Sequence, residues 1–224
     1  MSEWWSYRLE DFLLFSPRVY WRMFELYNAT LWPLHLPALL AGLAVILLVL
    51  GRTRRYELWM TLILAAVWTF VGWSFLWSRY AGINWAIAYM APVFGVQALL
   101  LIAFGATGRP TCDRLDFLGL VGISLSLLTI VAYPTIAPLS GRSWLGAEVF
   151  AIAPDPTAIC TLGILAAMRG RFGLLLSVIP ALWLLVSGLT LHAMDEPQAV
   201  VPFLSVICIL ILWIAGRFTR AGQS

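Results

Sequence analysis

Long apolar runs alternate with short polar breaks along most of this chain. Seven runs stand out, at Leu31–Leu50, Leu58–Trp77, Trp85–Phe104, Leu115–Tyr133, Gly146–Met168, Phe172–Thr190 and Ala199–Gly216. Several reach the roughly 20 residues a helix needs to cross the hydrocarbon core of a bilayer. Backbone placed there has no water to bond to and must satisfy its own polar groups, so these runs are expected to be helices. The breaks carry turn residues and charge, and none is long enough to hold a soluble domain. The pattern predicts an all-α, polytopic bundle of seven transmembrane helices.

The first thirty residues follow a different pattern. They offer no clean apolar core for a signal peptide. Ser16-Pro17 reads as a helix start, with serine at the cap and proline at the first helical position. Arg18, Arg22 and Glu25 then fall three and four apart on one face, while Val19, Tyr20, Met23, Phe24 and Tyr27 occupy the rest. This is the pattern of an N-terminal interfacial amphipathic helix, with Trp4, Trp5 and Trp21 as anchors. It equally fits a helix packed on the outer surface of the bundle. The expected organisation is therefore an interfacial segment over 1–30 and a transmembrane domain over 31–224.

Composition agrees with the runs. The 224 residues are 62% hydrophobic and 11% charged, with mean hydropathy +0.89. Soluble proteins run about 45–50% apolar and about 25% charged. All 14 basic residues are arginine. Without lysine there is no Schiff base with retinal or pyridoxal phosphate and no P-loop. The arginines sit in loops rather than in one aromatic-interleaved patch, so nucleic acid is not an expected partner. Cys112, Cys160 and Cys208 form no C-x-x-C pair, and no cofactor is expected. Five arginines (Arg8, Arg18, Arg22, Arg79, Arg142) fall on the N-terminal side and nine on the other. The positive-inside rule then places the N-terminus outside and the C-terminus in the cytoplasm.

A faint repeat runs through the spans. Pro37 precedes Gly51-Arg52 by fourteen residues, as Pro156 precedes Gly170-Arg171. Ala66-Val67-Trp68 leads to Val71-Gly72 in span two, and Ala181-Leu182-Trp183 to Val186-Ser187-Gly188 in span six. Parallel three-helix repeats over 31–110 and 146–220 would need one more crossing between them, a linker helix at 115–133. This three-plus-one-plus-three plan resembles that of the SWEET sugar transporters, whose halves are parallel repeats. The likeness covers span order alone. The family's Pro-Gln pair is missing from spans one and five, since Pro197-Gln198 lies before span seven, and sugar transport is not implied.

A second resemblance lies in the residues. Phe12-Leu13-Leu14-Phe15, Tyr27-Asn28 ahead of span one, Ala153-Pro154-Asp155-Pro156-Thr157 and Thr161-Leu162-Gly163 resemble an uncharacterised bacterial multi-pass inner-membrane family, a domain of unknown function. Nearly the whole chain is covered. The resemblance implies a bacterial inner-membrane location and no chemistry.

Ionisable groups inside a span are costly, about 2.5–3.5 kcal/mol on insertion scales, so each is a candidate site. Asp155 is the foremost, bracketed by Pro154 and Pro156. Neither proline donates an amide hydrogen, and a following proline biases Asp155 away from helical angles. A helix broken there would leave free carbonyls beside a carboxylate, the device by which transporters grip ions and substrates. The alternative places the prolines at the true start of span five, with Asp155 solvated at the helix tip. Thr157 and Glu148 are expected near Asp155, with His35, Gln97 and Trp68 contributed by the other half. Gly122 and Ser126 read as a close helix contact.

Three functions follow as expectations. One is a small-solute or ion transporter, or ligand-binding membrane protein, using Asp155, Thr157, His35, Gln97, Trp68 and Glu148. Another is a membrane-embedded enzyme or metal-binding protein, with His35, His192, Asp195 and Glu196 clustered at the outer face. The third is an accessory subunit of a membrane complex. The bilayer is a partner in each, with a homo-oligomer or a membrane-complex partner in the third.

Overall fold

The computed structural model describes residues 15–52, 55–107, 116–168 and 171–221. Trp4, Trp5, Arg8, Phe12-Leu13-Leu14, Arg54, Arg109, Cys112, Arg114 and Arg169 lie outside the described residues. Among the described residues the fold is all helical. In chain order the helices are α1 (Pro17–Leu31), α2 (His35–Gly51), α3 (Tyr56–Phe70, running on as a π-helical stretch Val71–Trp77), α4 (Met90–Ala106), α5 (Phe117–Ala132), the short α6 (Ile136–Leu139), α7 (Pro154–Met168), α8 (Arg171–Ala193) and α9 (Val200–Ala221).

Each predicted run holds one of the longer apolar helices. The lengths, however, do not give seven crossings. Among the described residues five helical stretches are long and apolar enough to cross a membrane, or six if α1 and α2, bent by 91° to one another, form one broken span. The two that fall short are α2 and α7. The 15 residues of α7 cover only about 22 Å at 1.5 Å per residue, against a hydrocarbon core of about 30 Å.

The shortness of α7 corrects the predicted start of span five. From Gly146 to Ala153 the run is apolar except for Glu148, but helix begins only at Pro154. A continuous helix would need amide hydrogens at 154 and 156 that proline lacks. Ala151, moreover, sits at φ 65 in the left-handed region, where an L side chain is disfavoured. The stretch 147–153 therefore enters the protein as irregular chain.

All of α7 is buried. Its most extensive neighbour is α5, followed by α8 and α9, so it forms the centre of the bundle. The predicted linker helix is thus a core partner. Within the two predicted repeats the contacts differ: α7 packs on both α8 and α9, whereas α2 packs on α3 and has at most marginal contact with α4.

The α5–α7 crossing works through small residues, as Gly122 and Ser126 foretold. A Cβ on Gly122 would stand 2.5 Å from the Gly163 carbonyl oxygen. A Cβ on Gly163 would collide with the Gly122 carbonyl and with Ser126 Oγ. Backbone approaches backbone there, and the Ser126 hydroxyl donates to the Cys160 carbonyl at 2.9 Å, a small-residue contact typical of membrane helices.

One face of α1 packs on the bundle and the other is exposed. Tyr20, Met23, Phe24, Tyr27 and Asn28 are buried, while Arg18, Val19, Arg22 and Leu26 face outward. It lies across the end of the bundle at which α3, α5 and α8 finish.

Because the steric conflict at the α5–α7 crossing involves backbone atoms, Gly122→Ala and Gly163→Ala should each destabilise the detergent-solubilised protein by about 1–3 kcal/mol, read as a lower thermal midpoint. Ser126→Ala, which removes one hydrogen bond without adding bulk, should cost about 1 kcal/mol.

Candidate functional site

Irregular backbone inside an apolar bundle is tolerated only if its polar groups find partners. Several of those in 145–153 are met by groups from other elements. Asn28 Nδ2, from α1, donates to the Leu145 carbonyl at 2.6 Å and to that of Ala147 at 2.8 Å. The Tyr27 hydroxyl donates to Ser74 Oγ in the π-helical stretch at 3.0 Å and reaches the Ile152 carbonyl at 3.5 Å. Val149 accepts from the amides of Ile152 and Ala153. Thr157 Oγ1 accepts from the Ala151 amide at 3.0 Å and donates to the Ala153 carbonyl at 2.7 Å. Thr157 thus holds the left-handed Ala151 in place.

Asp155 follows directly and is 2% exposed. It sits in the first turn of α7, where the helix dipole favours negative charge. Trp183 Nε1 donates to Oδ1 at 2.8 Å, Ser187 Oγ donates to Oδ2 at 2.6 Å, and the Tyr133 hydroxyl lies 3.5 Å from Oδ2. All three donors are neutral. No arginine or histidine among the described residues lies within ion-pair distance; the ion pair found there is Arg22–Glu25 at the surface. Asp155 is therefore at a helix tip, as one alternative had it, yet it is buried rather than solvated.

Glu148, 4% exposed, is close enough to feel the Asp155 charge. Gln198 Nε2 donates to its Oε1 at 3.4 Å. Gln198 Oε1 in turn accepts from Arg142 Nη2 at 2.5 Å. The Arg142 guanidinium stacks over the Trp21 ring, 3.5 Å from its centroid, a cation–π contact. Trp21 Nε1 donates to Glu196 Oε1 at 2.7 Å. One polar network thus ties α1, the loop after α6 and the start of α9 above the buried carboxyls.

The remaining predicted residues do not join them. Trp68 Nε1 donates to Thr161 Oγ1 at 3.0 Å. Its ring meets Phe94, which meets Trp183, so Trp68 supports the site from a layer away. Gln97 is buried with Nε2 donating to the Leu176 carbonyl at 3.0 Å, and so serves as a link between α4 and α8. His35 opens α2 beyond the sharp bend, and its Nε2 pairs with Asn28 Oδ1 at 3.3 Å instead of approaching Asp155. His192 and Asp195 are exposed at the end of α8, lining a groove of about 530 Å³ with Glu196. The expected outer cluster of His35, His192, Asp195 and Glu196 is not assembled: no three or more His, Cys, Asp or Glu among the described residues are grouped to hold a metal. His35 is drawn to Asn28, and Glu196 is engaged by Trp21.

Sequence reasoning missed Trp183, Ser187 and Tyr133 as partners of Asp155, and the Arg142–Gln198 pair beside Glu148. Trp183 and Ser187 are four apart on one helix face, a spacing able to deliver two donors to one carboxylate, and that was the available signal.

These elements, from the first turn of α1 to the end of α9, are covered by one match. The pattern of a family of unknown function, DUF6064, fits residues 17–222. The chain belongs to this family. The match begins at the first residue of α1, so the helix that stitches the buried loop is part of what DUF6064 describes. No curated protein and no solved structure matches the chain.

Asn28 donates to two loop carbonyls at once, that of buried Ala147 and that of Leu145 at its edge. Asn28→Ala should therefore cost about 1–3 kcal/mol, seen as a lower melting midpoint in detergent. Asn28→Asp, which keeps the shape but turns acceptor atoms toward both carbonyls, should be at least as damaging.

Proposed function

We propose that this protein is a multi-pass membrane carrier for a proton or a small cationic solute, with Asp155 as the binding carboxylate and Glu148 as the second acidic group. The observation that carries this reading is a carboxylate buried by irregular chain, held by three neutral donors and lacking an adjacent counter-charge. Neutral donors orient a carboxylate without cancelling its charge, and in a low-dielectric interior a proton or cation is what would cancel it. Discontinuous helices at transporter sites do comparable work. Seven crossings fit this reading if the 147–153 segment and α7 together make the fifth, and α2 the first. Arginine asymmetry supports an outside N-terminus and a cytoplasmic C-terminus, and the resemblance to an inner-membrane family supports a bacterial inner membrane.

One observation favours a second reading, an accessory subunit. None of the described grooves is lined by Asp155, whereas a largely apolar groove of about 290 Å³ opens between α5 and α9, a surface on which a partner helix would fit.

The two readings separate in proteoliposomes. Proton entry would be followed with a trapped pH dye under a clamped potential, and sodium or rubidium entry with radiolabel. The carrier reading expects flux above protein-free vesicles and a fall of about tenfold or more in Asp155→Asn, in line with loss of a coordinating charge. Flux unchanged in Asp155→Asn would remove this residue from the mechanism. Absence of flux for all three ions in the wild type would favour the accessory subunit. For orientation, a fluorescent-protein fusion after Ser224 should glow, and an alkaline phosphatase fusion there should be inactive; the reverse pattern would invert the topology.

A further inference from the structure

The outward face of α1 carries a second feature, remote from Asp155. Arg18 and Arg22, one turn apart on α1, line with Arg79 a groove of about 930 Å³ whose walls include Met23, Leu26 and Ile83. Among the described residues it is lined by three arginines and one carboxylate, Glu25, which pairs with Arg22 at 2.7 Å. Arg79 holds only a 3.4 Å contact to Thr30 Oγ1. Arg18 is exposed and has no hydrogen bond or ion pair among the described residues.

The depth of the groove is marked independently. Trp32, Trp77, Trp85, Tyr89 and Trp144 are all more than half exposed and lie at the same end of the bundle. Such a ring of exposed aromatics settles at the level of lipid headgroups. Arg79 follows two residues after Trp77, which puts the guanidiniums at that level. α1 stands at 91° to the apolar α2, so it runs along the membrane surface when α2 points into it.

We propose that this groove binds the headgroup of an anionic phospholipid. Arginine forks suit phosphate oxygens, the surplus positive charge suits a net negative headgroup, and the apolar walls accept the glycerol and upper acyl chain. A free phosphate would use the arginines but not the walls.

Delipidated full-length protein in neutral detergent would be titrated with phosphatidylglycerol, phosphatidylcholine and inorganic phosphate, with retained lipid read by native mass spectrometry and stability by thermal melting. Phosphatidylglycerol should be retained and raise the midpoint, with phosphatidylcholine and inorganic phosphate well behind. The R18Q/R22Q/R79Q variant should bind it at least about tenfold more weakly, since each arginine near a lipid surface contributes an appreciable share. The triple lysine variant should keep much of the preference. If the triple glutamine variant does not fold, Arg18→Gln alone should weaken binding about fivefold, because Arg18 makes no hydrogen bond or ion pair among the described residues. Equal retention of phosphatidylcholine, stabilisation by inorganic phosphate matching that by lipid, or unchanged retention in the folded glutamine variants would overturn the proposal.

Discussion

A stretch of seven residues without helix, buried among helices, sets the terms for everything around it. Its carbonyls and amides cannot turn to water, and the bundle cannot leave them bare. The solution recruits groups from distant parts of the chain: Asn28 and Tyr27 from α1, Ser74 from the π-helical stretch, and Thr157 from the helix that follows. α1 therefore does more than cover the end of the bundle. Its buried face supplies donors to the Leu145, Ala147 and Ile152 carbonyls of the loop.

Once the loop is fixed, Asp155 is fixed too. The prolines on either side stop helix from running back toward Gly146, and Thr157 pins Ala151 in its left-handed turn. The carboxylate then emerges opposite Trp183 and Ser187, four apart on α8. Below, the Gly122–Gly163 approach lets α7 lie close against α5, which carries Tyr133 toward the same acid. Packing by small residues and placement of a polar group are here one arrangement.

The chain's apolar periodicity made the helices legible, because burial in an apolar phase writes itself as long uninterrupted runs. It could not reveal where α7 begins. Gly146–Ala153 is as apolar as the helix after it, and only the two prolines hinted at the break. The glycine–serine pair on α5 was legible because four-residue spacing is local. Trp183 and Ser187 lie 28 and 32 residues from Asp155, and no local pattern announces a pairing that depends on how α7 and α8 are laid together. His35 misled for a related reason: matching the two supposed repeats set it opposite Pro154, but the fold pairs it with Asn28. A fold of this kind shows its walls in the sequence and conceals the joints between them.

The Arg142–Gln198–Glu148 chain has one more consequence. Gln198 spaces the guanidinium from the carboxyl by the width of an amide, and Arg142 is the only cation engaged with this end of the network among the described residues, against Glu148 and Asp155 below it. The charge balance of this buried group is then a matter of stoichiometry: counting Arg142, Glu148 and Asp155, the set is one positive charge short with both acids ionised, and a proton on either acid would close the gap.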